Sequence, residues 1–281
     1  MGQISRRFIQ GGIQMLGKLI KYDLKYGVRI FVVLHVLLLL ACSFGRFFYM
    51  DKINFNAPVN TILSPLFIFC SVFFLLFMAV CFGISALVAV RFYKNLFTDE
   101  GYLTWTLPAT ATQQLWAKII SGVIWEAGNL LLCSLAFLIL VSGDNVTTAY
   151  ASVASEYTQY LGMPISQFGF YCLVFGLFGT IGSVIMIYLC IAVGHLFPAH
   201  RILCAIVVYF ILSALLQILT FALMFAFGIS PASSTFVAQS EGTALSYMIT
   251  SFKISMIVSA ITMFVGYGGV HYIINKKVNL I

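Results

Sequence analysis

Charge is what this sequence most conspicuously lacks. Of its 281 residues only 8% are Asp, Glu, Lys or Arg, and the acids number eight in all. Ordinary soluble domains carry about 25% charged residues. A chain of this length that is 62% apolar has too little polar surface to face water on all sides. A soluble enzyme is therefore excluded, and so is a disordered chain, which needs high charge and low hydrophobicity. The seven cysteines (Cys42, Cys70, Cys81, Cys133, Cys172, Cys190 and Cys204) all fall in apolar stretches and none forms a CxxC pair. They read as small apolar residues, neither a disulfide framework nor a thiolate metal site. His35, His195, His200 and His271 form neither HxxxH nor HExxH, so no metal site is expected. His195 and His200 flank Pro198 in a short loop and read as solvated or interfacial. The acids are too few, and at the wrong depths, for a Ser/His/Asp set, so no catalytic site is expected. There is no GxxxxGK[ST] to cradle ATP phosphates, and no cofactor is expected in the chain itself.

What is present is apolar sequence in long blocks, with a mean hydropathy of +1.04. A membrane span takes about 20 mainly apolar residues. Six such stretches occur, over about 28–48, 64–90, 119–141, 168–196, 202–228 and 252–274. They are apolar on every side, which argues for helices rather than the alternation of a β-barrel. The expected fold is an all-α integral membrane protein with six spans occupying residues 28–281. No secretory signal peptide is expected, because the first apolar run starts near residue 28 with no small-residue cleavage site after it.

The net charge of +7 then marks the inner ends of spans, not a nucleic-acid surface. Twelve of the fifteen basic residues fall on one side: Arg6, Arg7, Lys18, Lys21, Lys25, Arg29, Arg91, Lys94, Lys118, Arg201, Lys276 and Lys277. Only Arg46, Lys52 and Lys253 fall on the other. Both termini are predicted cytoplasmic, in a multi-pass protein of the cell membrane. The longest loops are 91–118 inside and 142–167 outside. The outer one holds Asn145-Val146-Thr147, which matches a glycosylation sequon.

Residues 15–27, MLGKLIKYDLKYG, form an amphipathic pattern. At 100° per residue Met15, Leu16, Leu19, Ile20, Tyr22, Leu24 and Tyr26 share one broad arc, with Lys18, Lys21 and Lys25 opposite. This predicts a basic helix lying in the inner interface, its lysines toward lipid headgroups, preceded by an extension over 1–14. Asp23 falls inside the apolar arc, where a lone carboxylate is costly, so it should face a cation or protein rather than acyl chains.

In the loop 91–118, Thr98 is a plausible N-cap, Asp99 and Glu100 suit a first helical turn, and Pro108 marks the restart into span three. A short helix over about 99–106 is predicted, exposing Glu100, Tyr102, Leu103 and Trp105. Exposed aromatics beside acids point to a docking surface for a soluble partner; an interfacial aromatic belt is the plainer reading.

The run Asp99-Glu100-Gly101-Tyr102-Leu103-Thr104-Trp105-Thr106-Leu107-Pro108, followed by Lys118, resembles the cytoplasmic loop of type-2 ABC exporter permeases. Leu16-Gly17-Lys18-Leu19-Ile20-Lys21-Tyr22-Asp23-Leu24-Lys25 resembles the start of such permeases, particularly those of Gram-positive gut bacteria, and Arg91-Phe92-Tyr93-Lys94-Asn95-Leu96 is similar to the same group. The resemblance implies six spans, an N-terminal elbow helix over 15–27 and a coupling helix between spans two and three. It implies a second permease copy or a related permease, and separate ATPase subunits that bind ATP and Mg. Asp99, Glu100, Tyr102, Leu103 and Trp105 would touch the ATPase, supported by Arg91 and Lys94; Lys18, Lys21, Asp23 and Lys25 would belong to the elbow. Outer re-entrant helices of the family would fall in 229–250.

Glu126 is the only acid inside an expected span, about seven residues or roughly 10 Å in from the inner end. Asn129 lies one turn further on the same face. Two readings stand: substrate contact or proton coupling, or a buried structural hydrogen bond. The first keeps open an ATP-independent channel or secondary transporter using Glu126. An intramembrane enzyme would need paired catalytic groups at one depth, and none is found. Gly176, Gly179, Gly182 and Ser183 in span four, with Ser255, Ser259, Gly266 and Gly269 in span six, are small residues at helix-packing spacing, within one chain or between two.

Overall fold

Helices run well past the apolar stretches that announce them. The computed structural model describes residues 2–55, 57–227 and 243–276, leaving out the side chains of 2–14, 59–60, 160–161 and 243–247. In chain order it contains α1 (Gly2–Phe48), a 3₁₀ turn (Met50–Lys52), α2 (Val59–Phe97), α3 (Asp99–Trp105), α4 (Ala111–Val141), α5 (Asp144–Leu161), α6 (Ile165–His195), α7 (Arg201–Ala226) and α8 (Thr243–Lys276). The described residues contain no strand. Six helices (α1, α2, α4, α6, α7 and α8) hold segments long and apolar enough to cross a membrane, at the six expected places. The described residues are thus all-helical apart from turns, and their six long apolar helices are those of a multi-pass membrane protein.

Local chemistry sets the ends where hydropathy does not. Helix α2 stops at Thr98, whose backbone is extended at φ −120°, ψ −170°. Helix α4 opens with a capping box: the Thr110 hydroxyl accepts from the Gln113 amide while the Gln113 side chain accepts from the Thr110 amide. The expected cap at Thr98 is not made; its hydroxyl donates to the Lys94 carbonyl instead, 2.6 Å away. Helix α5 ends at Gly162, in the left-handed region at φ 75°, where a residue without Cβ is favoured.

Three expectations need correction. The segment 15–27 is not a separate elbow, because α1 continues through it into the first span. Its buried face centres on Asp23 and Gly27 rather than on the tyrosines, and Tyr22 is 67% exposed. A Cβ at Gly27 would meet Leu87 and Trp125 at 2.9 and 3.1 Å, so the helix is drawn onto the bundle there. Second, the stretch 142–167, expected as an outer loop, is mostly helix α5, 18 residues long. It is moored by Asn145, whose amide donates to the carbonyls of Met50 and Ile53 at 2.6 and 2.9 Å, so the sequon asparagine is already engaged. Third, His195 is buried at the end of α6 with its ring 4.6 Å from that of Phe97, not solvated. Of the region 229–250, residues 229–242 lie outside the described residues and 243–250 begin α8.

Helices α4 and α6 form the centre, α4 packing on α1, α2, α6 and α8, and α6 on α2, α4, α7 and α8. Towards the N-terminal end of α4 lies an aromatic-rich core of Phe92, Leu96, Phe97, Leu115, Val184, Tyr188 and Val270, with the rings of Phe92 and Tyr188 stacked at 3.8 Å. Towards its C-terminal end a second core gathers Leu38, Cys42, Phe69, Val80, Cys133, Ala136 and Leu140. Helix α7 stands at the edge, against α6 and α8. Small residues permit these approaches: a Cβ at Gly182 would meet the Ser259 hydroxyl at 2.8 Å, and one at Gly269 would meet Leu189 at 2.8 Å. At these positions the small residues of α6 and α8 pack within one chain.

Candidate functional site: the α3 loop and the buried charges behind it

Helix α3 is two turns long and is held on its inner side. Asp99 and Glu100 occupy its first turn, where the helix dipole favours anions. Gly101 is buried against the bundle. Trp105 is half-buried beside Leu96 and Phe97, and its indole N–H donates to the Leu96 carbonyl at 3.4 Å. Gln114 of α4 donates its amide to the Thr104 carbonyl at 2.8 Å. The outward face carries Asp99, Glu100, Tyr102 at 50% exposure and Leu103 at 74%. Trp105 therefore leaves the expected contact set and becomes an anchor.

Directly behind lies a network that the residues of the loop alone do not reveal. Asp23 of α1 is 4% exposed and Lys118 of α4 is 5% exposed. The Lys118 ammonium reaches both carboxylate oxygens of Asp23, at 2.5 and 2.6 Å. Arg91 of α2 donates from Nε to the same carboxylate at 3.1 Å, and its Nη1 lies 3.8 Å from a Glu100 oxygen. Its guanidinium sits 4.3 Å over the Tyr26 ring. The Tyr188 hydroxyl of α6 donates to the Lys118 carbonyl at 2.9 Å, and Ser121 donates to the same carbonyl at 3.0 Å. Four helices thus meet at one carboxylate and its cations, and α6 braces the Lys118 backbone from behind. Two buried charges are tolerable in such a place only because each meets its opposite and the remaining lone pairs are used. Asp23 does face cations and protein, as its position in the apolar arc requires. Arg91 turns inward, whereas Lys94, Lys18, Lys21 and Lys25 are exposed.

A second polar group lies deeper. Glu126 is buried and accepts from the Ser85 hydroxyl of α2 at 2.7 Å. Asn129, one turn on, faces His35 of α1, with Oδ1 3.1 Å from Nε2, while His35 Nδ1 lies 2.8 Å from the Phe31 carbonyl. The Cys133 thiol donates to the same amide oxygen at 3.4 Å. These bonds stitch α4 to α1 and α2. No group of three His, Cys, Asp or Glu converges among the described residues. Sequence reasoning missed Lys118, Tyr188, Ser85 and His35 as partners. The signal available for Lys118 was a lone cation near the start of span three, as Asp23 is a lone acid near the start of span one.

No protein-family model, no curated protein and no solved structure matches the chain.

Proposed function

We propose that the chain is the membrane-spanning subunit of an ABC exporter, powered by a separate ATPase that docks on α3. The observation that carries this reading is the two-sided character of α3. Outside it presents Leu103 at 74% and Tyr102 at 50% exposure beside Glu100 and Asp99; inside, Gly101, Trp105 and Gln114 fix it to the bundle. Large apolar side chains on a short polar loop are what a docking hot spot needs. The basic excess on that side supports a cytoplasmic position for the loop and for both termini, in a protein of the cell membrane. The resemblance of residues 91–118 and 15–27 to type-2 permeases supports the same assignment.

The network behind α3 supplies a route for force. Displacing α3 pulls on Glu100 and on the end of α2, hence on Arg91, which shares Asp23 with Lys118. A push on the loop would therefore be felt by α1 and α4 together. ATP with Mg would bind the partner subunit, which must prefer one bundle state over the other for its binding to do work. Two membrane subunits, identical or related, would complete the assembly.

The test is co-purification of ATP-hydrolysing chains with the tagged protein from its native membrane. Leu103→Glu should lose the ATPase while leaving the melting temperature unchanged, since that side chain is 74% exposed. Retention of the same ATPase at wild-type yield would overturn the assignment. For Glu126 and Asn129, the interhelical bonds to Ser85 and His35 favour the packing reading over ion or proton passage.

A further inference from the structure

Helices α2 and α7 do not close on each other. Between them runs a groove of about 560 Å³, floored by α6. It exists because the facing positions are small: Ala86 on α2, Ala205 on α7 and Cys190 on the floor. Phe82 and Phe210, each 67% exposed, stand at its rim. Its lining is otherwise almost wholly apolar, and among the described residues Arg201 is the single charged group that borders it. Arg201 opens α7, on the same side of the bundle as α3.

The groove is held open from one end. A Cβ at Gly194 of α6 would lie 2.6 Å from the Ala205 amide and 2.7 Å from the Arg201 carbonyl. Backbone therefore touches backbone at the α6–α7 turn, and the first turns of α7 are pinned where the groove begins. From Arg201 to Phe210 are nine helical steps, or about 13 Å. One leaflet of the hydrocarbon core is about 15 Å deep. A cation at the head, an apolar trough one leaflet long and a fixed opening match one chemistry: an anionic headgroup carrying an alkyl chain.

We propose that this groove is a binding site for an anionic phospholipid of the leaflet on the α3 side, one acyl chain lying between α2 and α7 and its phosphate on Arg201. Guanidinium and phosphate pair well because the planar donors fit two oxygens at once. The site rests on the membrane placement of the six helices and is independent of the ATPase reading.

The experiment uses the full chain reconstituted in phosphatidylcholine vesicles doped with phosphatidylglycerol bearing a photoactivatable acyl chain. Adducts are mapped by mass spectrometry after illumination. Labelling should concentrate on the groove, at Met78, Ala86 and Cys190, and fall at least fivefold in Arg201→Gln. Ala86→Trp, which fills the trough without touching the charge, should do the same. Adducts at Phe264 and Val265, exposed on α8 far along the chain, should stay constant and certify that each variant is folded. Groove labelling no higher than at Phe264 and Val265, or equal in wild type and both variants, would overturn the site. So would equal labelling by a photoactivatable phosphatidylcholine, which removes the role given to charge. A disulfide between cysteines placed on α2 of one copy and α7 of another, blocking the label, would assign the groove to a second copy instead.

Discussion

Helices α4 and α7 each have the length to cross a bilayer, yet they lead opposite lives. Helix α4 is the less apolar of the two and is the better buried; it carries Lys118, Ser121, Glu126 and Asn129 inward. Helix α7 is more apolar and, among its residues, buries only Met224. In water the ranking would be the reverse. In lipid an apolar side chain gains nothing by leaving the surface, whereas a polar one gains a partner by moving inside. Of these two helices, the one with something polar to satisfy is the one that is buried.

The sharpest way to break this comparison is to remove a charge from α4. Lys118→Met should cost about 3 kcal/mol, because it leaves the Asp23 carboxylate buried with Arg91 alone. Adding Asp23→Leu should recover most of that loss, since an apolar pair of similar volume needs no counter-ion. Thermal unfolding in detergent reads both; a double variant no better than the single would mean that the pair contributes more than mutual neutralisation. Overpacking α4 is the next largest effect. A Cβ at Gly122 would lie 2.7 Å from the Tyr188 hydroxyl and 2.9 Å from Val184, so Gly122→Ala should cost about 1–3 kcal/mol in the same assay. The smallest effect belongs to α7: Ile218→Ala, at a side chain 64% exposed, should change stability by less than about 0.5 kcal/mol. A large loss there would show that α7 faces protein, not lipid, along that flank.

The same contrast explains which parts could be read in advance. Six spans were legible because each needs a long apolar block, and a block of that kind has few other uses. The α3 helix was legible from Asp99 and Glu100 after a break at Thr98. Helix α5 was not: its residues are weakly polar, its hold on the bundle is chiefly Asn145, and neither property rises above loop composition. The break foreseen after residue 27 failed because amphipathicity was taken as a sign of lying flat. The Asp23 pairing with Lys118, 95 positions away, turns that face toward protein. Trp105 was placed outward by its neighbours in sequence, and inward by Leu96 at the end of α2, whose carbonyl accepts its indole N–H.

Sequence alone determined that this chain lives in a membrane, how many times it crosses and which short segment protrudes, because solvent choice is written in composition and run length. Only the tertiary structure decided which polar residue answers which. Asp23, Arg91, Lys118 and Glu100 are spread over four helices, and a buried charge is settled by the nearest opposite charge in space, a distance that no spacing along the chain encodes.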